Sequence, residues 1–296
     1  MFKKVIIIAL LVVVPVAASS QNAQRQKAKT PKVGIFLSGG GALGFAHIGA
    51  LKALEEVGIH PDYIAGASMG ALVGVFYAYG YTPDEISRMV IDKELYSTKN
   101  ILAISGKNSD SRRLGVFSHK KVRELLEHYI PTDSFNDLKK EMTVVVSNLS
   151  KSRTEWVNSG DSLTDYVLAS MSIPCIFEPI LMNGDIYIDG GCFNHFPSYV
   201  IRDKVDILIG VEVMPYTDTV QISKIADVLT RYFASLAVVS SSEGHSQCDH
   251  LCVSHAIDKY KMLDFSEFTQ IYDYGYQSMK QYIEEHPSII RDCRGR

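Results

Sequence analysis

From Lys32 onward the chain alternates short apolar runs with longer stretches whose apolar residues recur every three or four positions, the pattern of strands feeding helices. Val33–Leu37 (VGIFL) reads as a buried strand. Ala42–Val57 carries Leu43, Ala46, His47, Ala50, Leu51 and Leu54 at helical spacing and is stopped by Gly58. Asp62–Ala65 reads as a second strand running into Gly66-Ala67-Ser68-Met69-Gly70, and Met69–Tyr79 resumes a helix closed by Gly80. Thr82-Pro83-Asp84-Glu85 opens the next helix, with Thr82 as N-cap, Pro83 in the first position and Glu85 completing a capping box. The same pattern predicts helices at His119–Tyr129 and Ser162–Met171 and over 222–242 and 265–285. It places strands at Met142–Ser147, Arg153–Asn158, Asp185–Ile188 and Val205–Val213. The last of these (VDILIGVEV) lacks polar alternation, as a strand buried on both faces of a parallel sheet does. The alternation predicts one α/β domain over residues 32–290, a three-layer sandwich with a mainly parallel central sheet. Residues 96–114 show no period and read as a mobile loop of the length that is usually functional or disordered.

The start of the chain has a different pattern. Lys3 and Lys4 precede an apolar run from Val5 to Ala18, and small residues follow through Ser20. That run is shorter than the roughly 20 residues that span a bilayer, so residues 1–20 are expected to be a cleaved signal peptide and residues 21–31 (QNAQRQKAKTP) a polar tether. The expected location is therefore outside the cytoplasm: periplasmic, associated with an outer membrane, or secreted.

With 46% apolar and 21% charged residues the chain is globular, which excludes disordered, collagenous and coiled-coil classes. Thirty basic and 33 acidic residues give a net charge of −3, and no Lys/Arg stripe offers a footprint for nucleic acid, so none is expected as a partner. The five cysteines, Cys175, Cys192, Cys248, Cys252 and Cys293, show no staple-like spacing and are expected to be mostly buried free thiols. His245, Cys248, His250, Cys252 and His255 have zinc-compatible side chains. Asp249–Ile257 alternates as a strand, however, in which residues four apart lie roughly 13 Å from each other, so no metal site is expected.

Two glycine-rich turns carry the candidate chemistry. Gly39-Gly40-Gly41-Ala42-Leu43-Gly44 follows a strand and opens a helix, in the spacing of a dinucleotide fingerprint. The acid that should end the second strand to hold a ribose is missing, because Asp62 precedes that strand. What remains is a row of unobstructed backbone N–H groups at a helix N-terminus, a place that stabilises an anion. Gly66, Ser68 and Gly70 form G-x-S-x-G between strand and helix, the position of a nucleophile elbow, where the flanking residues must be small for the two elements to approach. A serine nucleophile needs a base. His195 is the conventional candidate, whereas Asp189 ends an apolar strand and enters the Gly190-Gly191 turn, where partial desolvation would raise its basicity.

Taken together, GGGALG, GASMG and DGG, with AHIGALKALEE (46–56), ASMSIPCIFEPI (169–180) and DGGCFNHFP (189–197), resemble the patatin-like phospholipase family over about Lys32 to Glu285. The resemblance implies a lipid acyl hydrolase with a Ser-Asp dyad and no cofactor. Ser68 would be the nucleophile, Asp189 its base, and the amides around Gly39, Gly40 and Gly41 the oxyanion hole. The expected substrate is a phospholipid or other acyl-ester lipid, met transiently at a membrane surface. Leu43 stands where the family often carries a basic residue. A Ser-His-Asp esterase using His195 and a catalytically silent lipid-binding or assembly module on the same fold remain as alternatives.

Overall fold

The computed structural model describes residues 30–92, 103–104, 115–214, 222–223, 225–254, 257 and 259–295. The chain first forms β1 (Val33–Leu37), a 3₁₀ turn over Gly41–Phe45, α1 (Ala46–Glu56), β2 (Tyr63–Ala67), α2 (Met69–Tyr79) and α3 (Pro83–Asp92). It continues through β3 (Ala103–Ile104), β4 (Gly115–Ser118), α4 (Lys120–Tyr129), β5 (Glu141–Asn148), β6 (Arg153–Val157), α5 (Leu163–Ser170), β7 (Cys175–Phe177), β8 (Ile180–Met182) and β9 (Asp185–Ile188). Then come β10 (Ile207–Glu212), α6 (Ile225–Ser240), α7 (Ser242–Gln247), β11 (His250–Val253), α8 (Phe268–Glu285) and α9 (Ser288–Arg294). The helix expected from Ala42 begins four residues late, because the glycine-rich turn tightens into the 3₁₀ segment first. The capping box of α3 forms as predicted: Thr82 N–H donates to Glu85 Oε2 at 2.8 Å, and Glu85 N–H donates to Thr82 Oγ1 at 3.3 Å.

The central sheet runs β11-β10-β1-β2-β5-β9-β8, with β6 also on β5. The strands from β11 to β5 are parallel, whereas β6, β9 and β8 join antiparallel at one end. Connection length explains the change of direction. β8 and β9 are joined by Asn183-Gly184, both at positive φ, the two-residue turn that makes a hairpin and is too short for a crossover helix.

Successive strand residues go to opposite faces and found two cores. Ile35, Leu37, Ile64, Val144, Val146 and Ile209 pack under α1, α2 and α3 in the larger one. Phe36, Ala65, Ala67, Val145 and Leu208 pack against Phe196, Val200 and Ile201 in the smaller one. The expected three layers are present but unequal, the second face being covered in part by the 3₁₀ segment Ser198–Lys204.

Several expectations need correction or fall elsewhere. The strand expected over Asp249–Ile257 ends at Val253. Among the cysteines, all free, only Cys252 and Cys293 are buried; Cys175 is exposed, and Cys192 and Cys248 are half-buried. His245 lies on α7, and among the described residues no group of three or more His, Cys, Asp or Glu side chains could hold a metal ion. The expected signal segment, the tether up to residue 29 and the loop at 96–102 and 105–114 lie outside the described residues. Within that loop Ala103–Ile104 forms β3, antiparallel to β4. Among the described residues no helix is long and apolar enough to cross a membrane.

Candidate active site

β2 ends at Ala67 and α2 starts at Met69, so the chain must reverse at Ser68 alone. It does so at φ 54° and ψ −125°, a conformation that costs a non-glycine residue on the order of 1–3 kcal/mol and is kept only where the surroundings impose it. The imposition comes from close approach. A Cβ on Gly66 would stand 2.5 Å from the carbonyl carbon of Gly70, and one on Gly70 would stand 2.2 Å from Leu37 O. Strand and helix can meet only because both positions lack side chains. Ser170, at the end of α5, completes the clamp by accepting the Ser68 N–H at 2.8 Å and donating to Val145 O at 2.6 Å.

Asp189 leaves β9, with its backbone N–H held by Ser172 O at 2.9 Å and its Oδ1 accepting the Gly191 N–H at 2.9 Å. The side chain is buried, and burial pushes its pKa up to about 6. Ser68, the Gly191 amide and His195 each oppose that rise by favouring the charged form. The Ser68 hydroxyl is thus near enough to favour the charged carboxylate, and Asp189 Oδ2 has no hydrogen-bond partner.

Gly39, Gly40 and Gly41 line the same cleft as Ser68, Asp189, Gly191 and His195. Gly39 lies against the serine: a Cβ there would be 3.3 Å from Ser68 Cβ. Gly41 has φ +55°, and a Cβ on it would stand 2.3 Å from Met262 O, so only glycine holds the loop in this path. Three bonds fix the loop from behind. His47 Nε2 donates to Ser38 O at 2.9 Å, Ser38 Oγ accepts the Val213 N–H at 3.0 Å, and Met262 O accepts the Ala42 N–H at 2.8 Å. Burial lowers the His47 pKa to about 4, so the ring is neutral and serves as a fixed donor. Among the described residues no backbone carbonyl accepts from the Gly39 or Gly40 N–H.

The tertiary structure therefore brings Ser68, Asp189 and Gly39–Gly41 into one cleft. Gly44 faces Met69 at the base of α2, Gly190 faces Val145 O, and Leu43 is buried in the core. His195 is also in the cleft, but its Nε2 contacts Glu212 Oε1 at 3.3 Å instead of Ser68. The sequence reading missed Ser170 and Glu212. The acid inside the apolar stretch at 207–213 was the available signal for Glu212, since a carboxylate in a strand of that pattern must be buried.

A buried carboxylate beside a strained serine and a glycine loop with unused amides can accept a proton, offer a nucleophile and hold an oxyanion. We expect Gly41→Val to push the loop off Met262 and lower kcat by roughly 10²–10³-fold, with a smaller change in KM, as losing one such donor does; steady-state kinetics of the folded variant would check this.

Comparison with known proteins agrees with this layout. Residues 35–200 match the family described as patatin-like phospholipase. The chain is 28% identical over 289 aligned residues to patatin-like phospholipase domain-containing protein 6 of Mus musculus, covering 83% of this chain and 20% of that protein. It is also 28% identical to lysophospholipase nte1 of Emericella nidulans over 287 residues, 86% of this chain and 18% of that one. The chain thus spans about a fifth of the length of these relatives. Among solved structures, VipD from Legionella pneumophila aligns with a TM-score of 0.52 at 16% identity, over 87% of this chain and 67% of that one, which shows the shared fold. With the family match extending over more than half of the sequence and including both Ser68 and Asp189, the chain belongs to the patatin-like phospholipase family.

Proposed function

We propose that the protein is a serine lipid acyl hydrolase that cleaves carboxylic esters of membrane lipids through an acyl-enzyme on Ser68, with Asp189 as the base. The observation that carries this reading is the strained Ser68 facing a buried Asp189 whose Oδ2 is unpartnered, in a cleft lined by Gly39–Gly41. Ser68 Oγ attacks the ester carbonyl and its proton passes to Asp189. The Gly39–Gly41 amides meet the oxyanion, and the protonated Asp189 returns the proton to the departing alcohol. Water, activated by the same carboxylate, then releases the fatty acid. The Ser-His-Asp alternative is less well supported, because His195 Nε2 is turned to Glu212 and its Nδ1 makes no hydrogen bond.

The lipid half of the reading rests on a second feature. A small apolar cavity of about 30 Å³ lies behind the residue that follows Ser68, lined by Phe45, Ile48, Met69, Val73, Phe76 and Met89 among others. An acyl chain whose carbonyl sits at Ser68 would have to enter by displacing these flexible apolar side chains, which offer it only apolar contacts. The signal-peptide pattern of residues 1–20 supports a site of action outside the cytoplasm.

The test is turnover of acyl esters of increasing chain length by the wild type and by Val73→Trp, whose larger side chain would block the cavity. Each buried methylene contributes about 0.8 kcal/mol, a factor of about four. The wild type is expected to favour dodecanoyl over butyryl esters in kcat/KM by at least about 100-fold, and V73W to lose most of that preference while still cleaving the butyryl ester. A flat chain-length profile in the wild type would refute the lipid assignment and leave the serine chemistry standing.

A further inference from the structure

Behind the cleft lies a buried charge cluster that the proposed reaction does not use. Glu212, the last residue of β10, is 2% exposed, and its Oε1 accepts the Met214 N–H at 2.8 Å and faces His195 Nε2 at 3.3 Å. His245, on α7, brings its Nε2 to 3.5 Å from the other oxygen, Glu212 Oε2. A carboxylate taken this far from water is tolerated only when it is paired, and its pairing partner is the His195 ring, itself 1% exposed. Burial works against a charge on that ring but is outweighed by Glu212 and, further off, by Asp189, so the His195 pKa is raised. Glu212 is held well below the usual carboxylate range: burial opposes this, and the charge and hydrogen bond of His195 overcome it.

The other side of the same ring faces the reaction. His195 Nδ1 is buried without a partner, and His195 lines the cleft with Ser68 and Asp189. Gly191 stands between the two groups: a Cβ built on it would be 3.3 Å from Asp189 Oδ1 and 3.5 Å from His195 Nδ1. His195 Cε1 would likewise be 3.8 Å from a Cβ on Gly39, so the ring abuts both the carboxylate turn and the glycine loop. The backbone keeps it there, since the His195 N–H donates to Ser240 Oγ at 3.0 Å.

We propose that His195, kept cationic by Glu212, is a positioning residue that holds Asp189 ionised beside Ser68 and so extends activity to mildly acidic pH. This rests on Asp189 being the base. The titratable groups facing the pair are Asp189 and Cys192 from the β9 turn, Glu212 from β10 and His245 from α7; neutral His47, from α1, faces Glu212. With Glu212 charged and His195 protonated, the cluster places one positive charge next to Asp189 and its counter-charge on the far side of the ring. Removing the positive charge favours the protonated form of Asp189, so the acid limb must move to higher pH.

The experiment is the pH dependence of kcat/KM for a chromogenic acyl ester, and of the rate of Ser68 labelling by a fluorophosphonate, in the wild type and in His195→Gln, Glu212→Gln and Glu212→Asp. We expect the acid limb to move up by about one pH unit in both Gln variants, a roughly tenfold loss on that limb, with a variant combining His195→Gln and Glu212→Gln shifted no further. Glu212→Asp, which keeps the charge, should stay close to the wild type. If His195→Gln does not fold, Glu212→Gln and its Asp counterpart decide the question alone. An acid limb that stays in place in folded Gln variants overturns the proposal. Inactivity of folded His195→Gln at every pH also overturns it, in favour of a catalytic histidine. A wild type that neither turns over ester nor labels at Ser68 would instead refute the hydrolase reading beneath it.

Discussion

Ser68→Ala is expected to lower ester turnover by at least about 10⁴-fold, since removing a nucleophile leaves only the rate provided by binding and oxyanion stabilisation. The fold should be unaffected. The clamp on Ser68 is made through its backbone N–H, which Ser170 Oγ accepts, and alanine keeps that donor. The positive φ remains in the variant, so the strain is unchanged, and the difference in stability should stay within about 0.5 kcal/mol. Parallel measurement of hydrolysis and thermal unfolding checks both halves, and a fluorophosphonate should label the wild type at Ser68 and leave the variant unlabelled. Full activity in a folded Ser68→Ala would remove the assignment.

Asp189→Asn is expected to cost about as much as losing Ser68, and the double variant little more, because nucleophile and base act as one unit. The amide is nearly isosteric, and its carbonyl can still accept the Gly191 N–H, so the loss would report the proton transfer and not a collapsed turn. The wild-type pH profile follows from the same residue. A base works unprotonated, and burial raises the Asp189 pKa to about 6, so kcat/KM should be level above that pH and fall about tenfold per unit below it. Stability should run the opposite way. A carboxyl whose folded pKa lies above its unfolded value, about 3.9, supports the fold fully below pH 4, and that support is lost as the pH rises through about 6. At pH 8 the wild type therefore carries the cost of a buried charge, and Asp189→Asn should unfold several degrees higher by calorimetry. A variant less stable than the wild type at pH 8 would mean that the carboxylate holds the turn together.

How far the chain could be read from its sequence depended on how local the deciding physics was. The capping box at Thr82 and Glu85, the strands at 33–37 and 185–188 and the helix at 69–79 follow from spacing and from residues in contact along the chain. The strand–turn–helix at 66–70 is equally local, because small residues on either side of Ser68 are a requirement written into five positions. The strand expected over 249–257 ended early at Val253, and the cysteines expected to be mostly buried were not, because solvent access at Cys175 and Cys192 is set by elements distant in sequence.

The sequence by itself determined the parallel α/β pattern and the two glycine-rich turns with their serine, since each is a demand that neighbouring residues place on one another. Only the tertiary structure decided which acid faces the serine. Ser68 and Asp189 are separated by more than a hundred residues, and they meet because β2 and β9 pair with β5 one after the other, β2 along Glu141–Val145 and β9 at Ser147–Asn148, with β6 on the opposite edge, which brings the ends of β2 and β9 to one cleft. It also decided that His195 turns to Glu212, a residue 17 positions away on β10, in place of Ser68. No local pattern encodes that choice, because it is made by burial: a carboxylate enclosed in the core is kept only where a partner such as the His195 ring comes within reach.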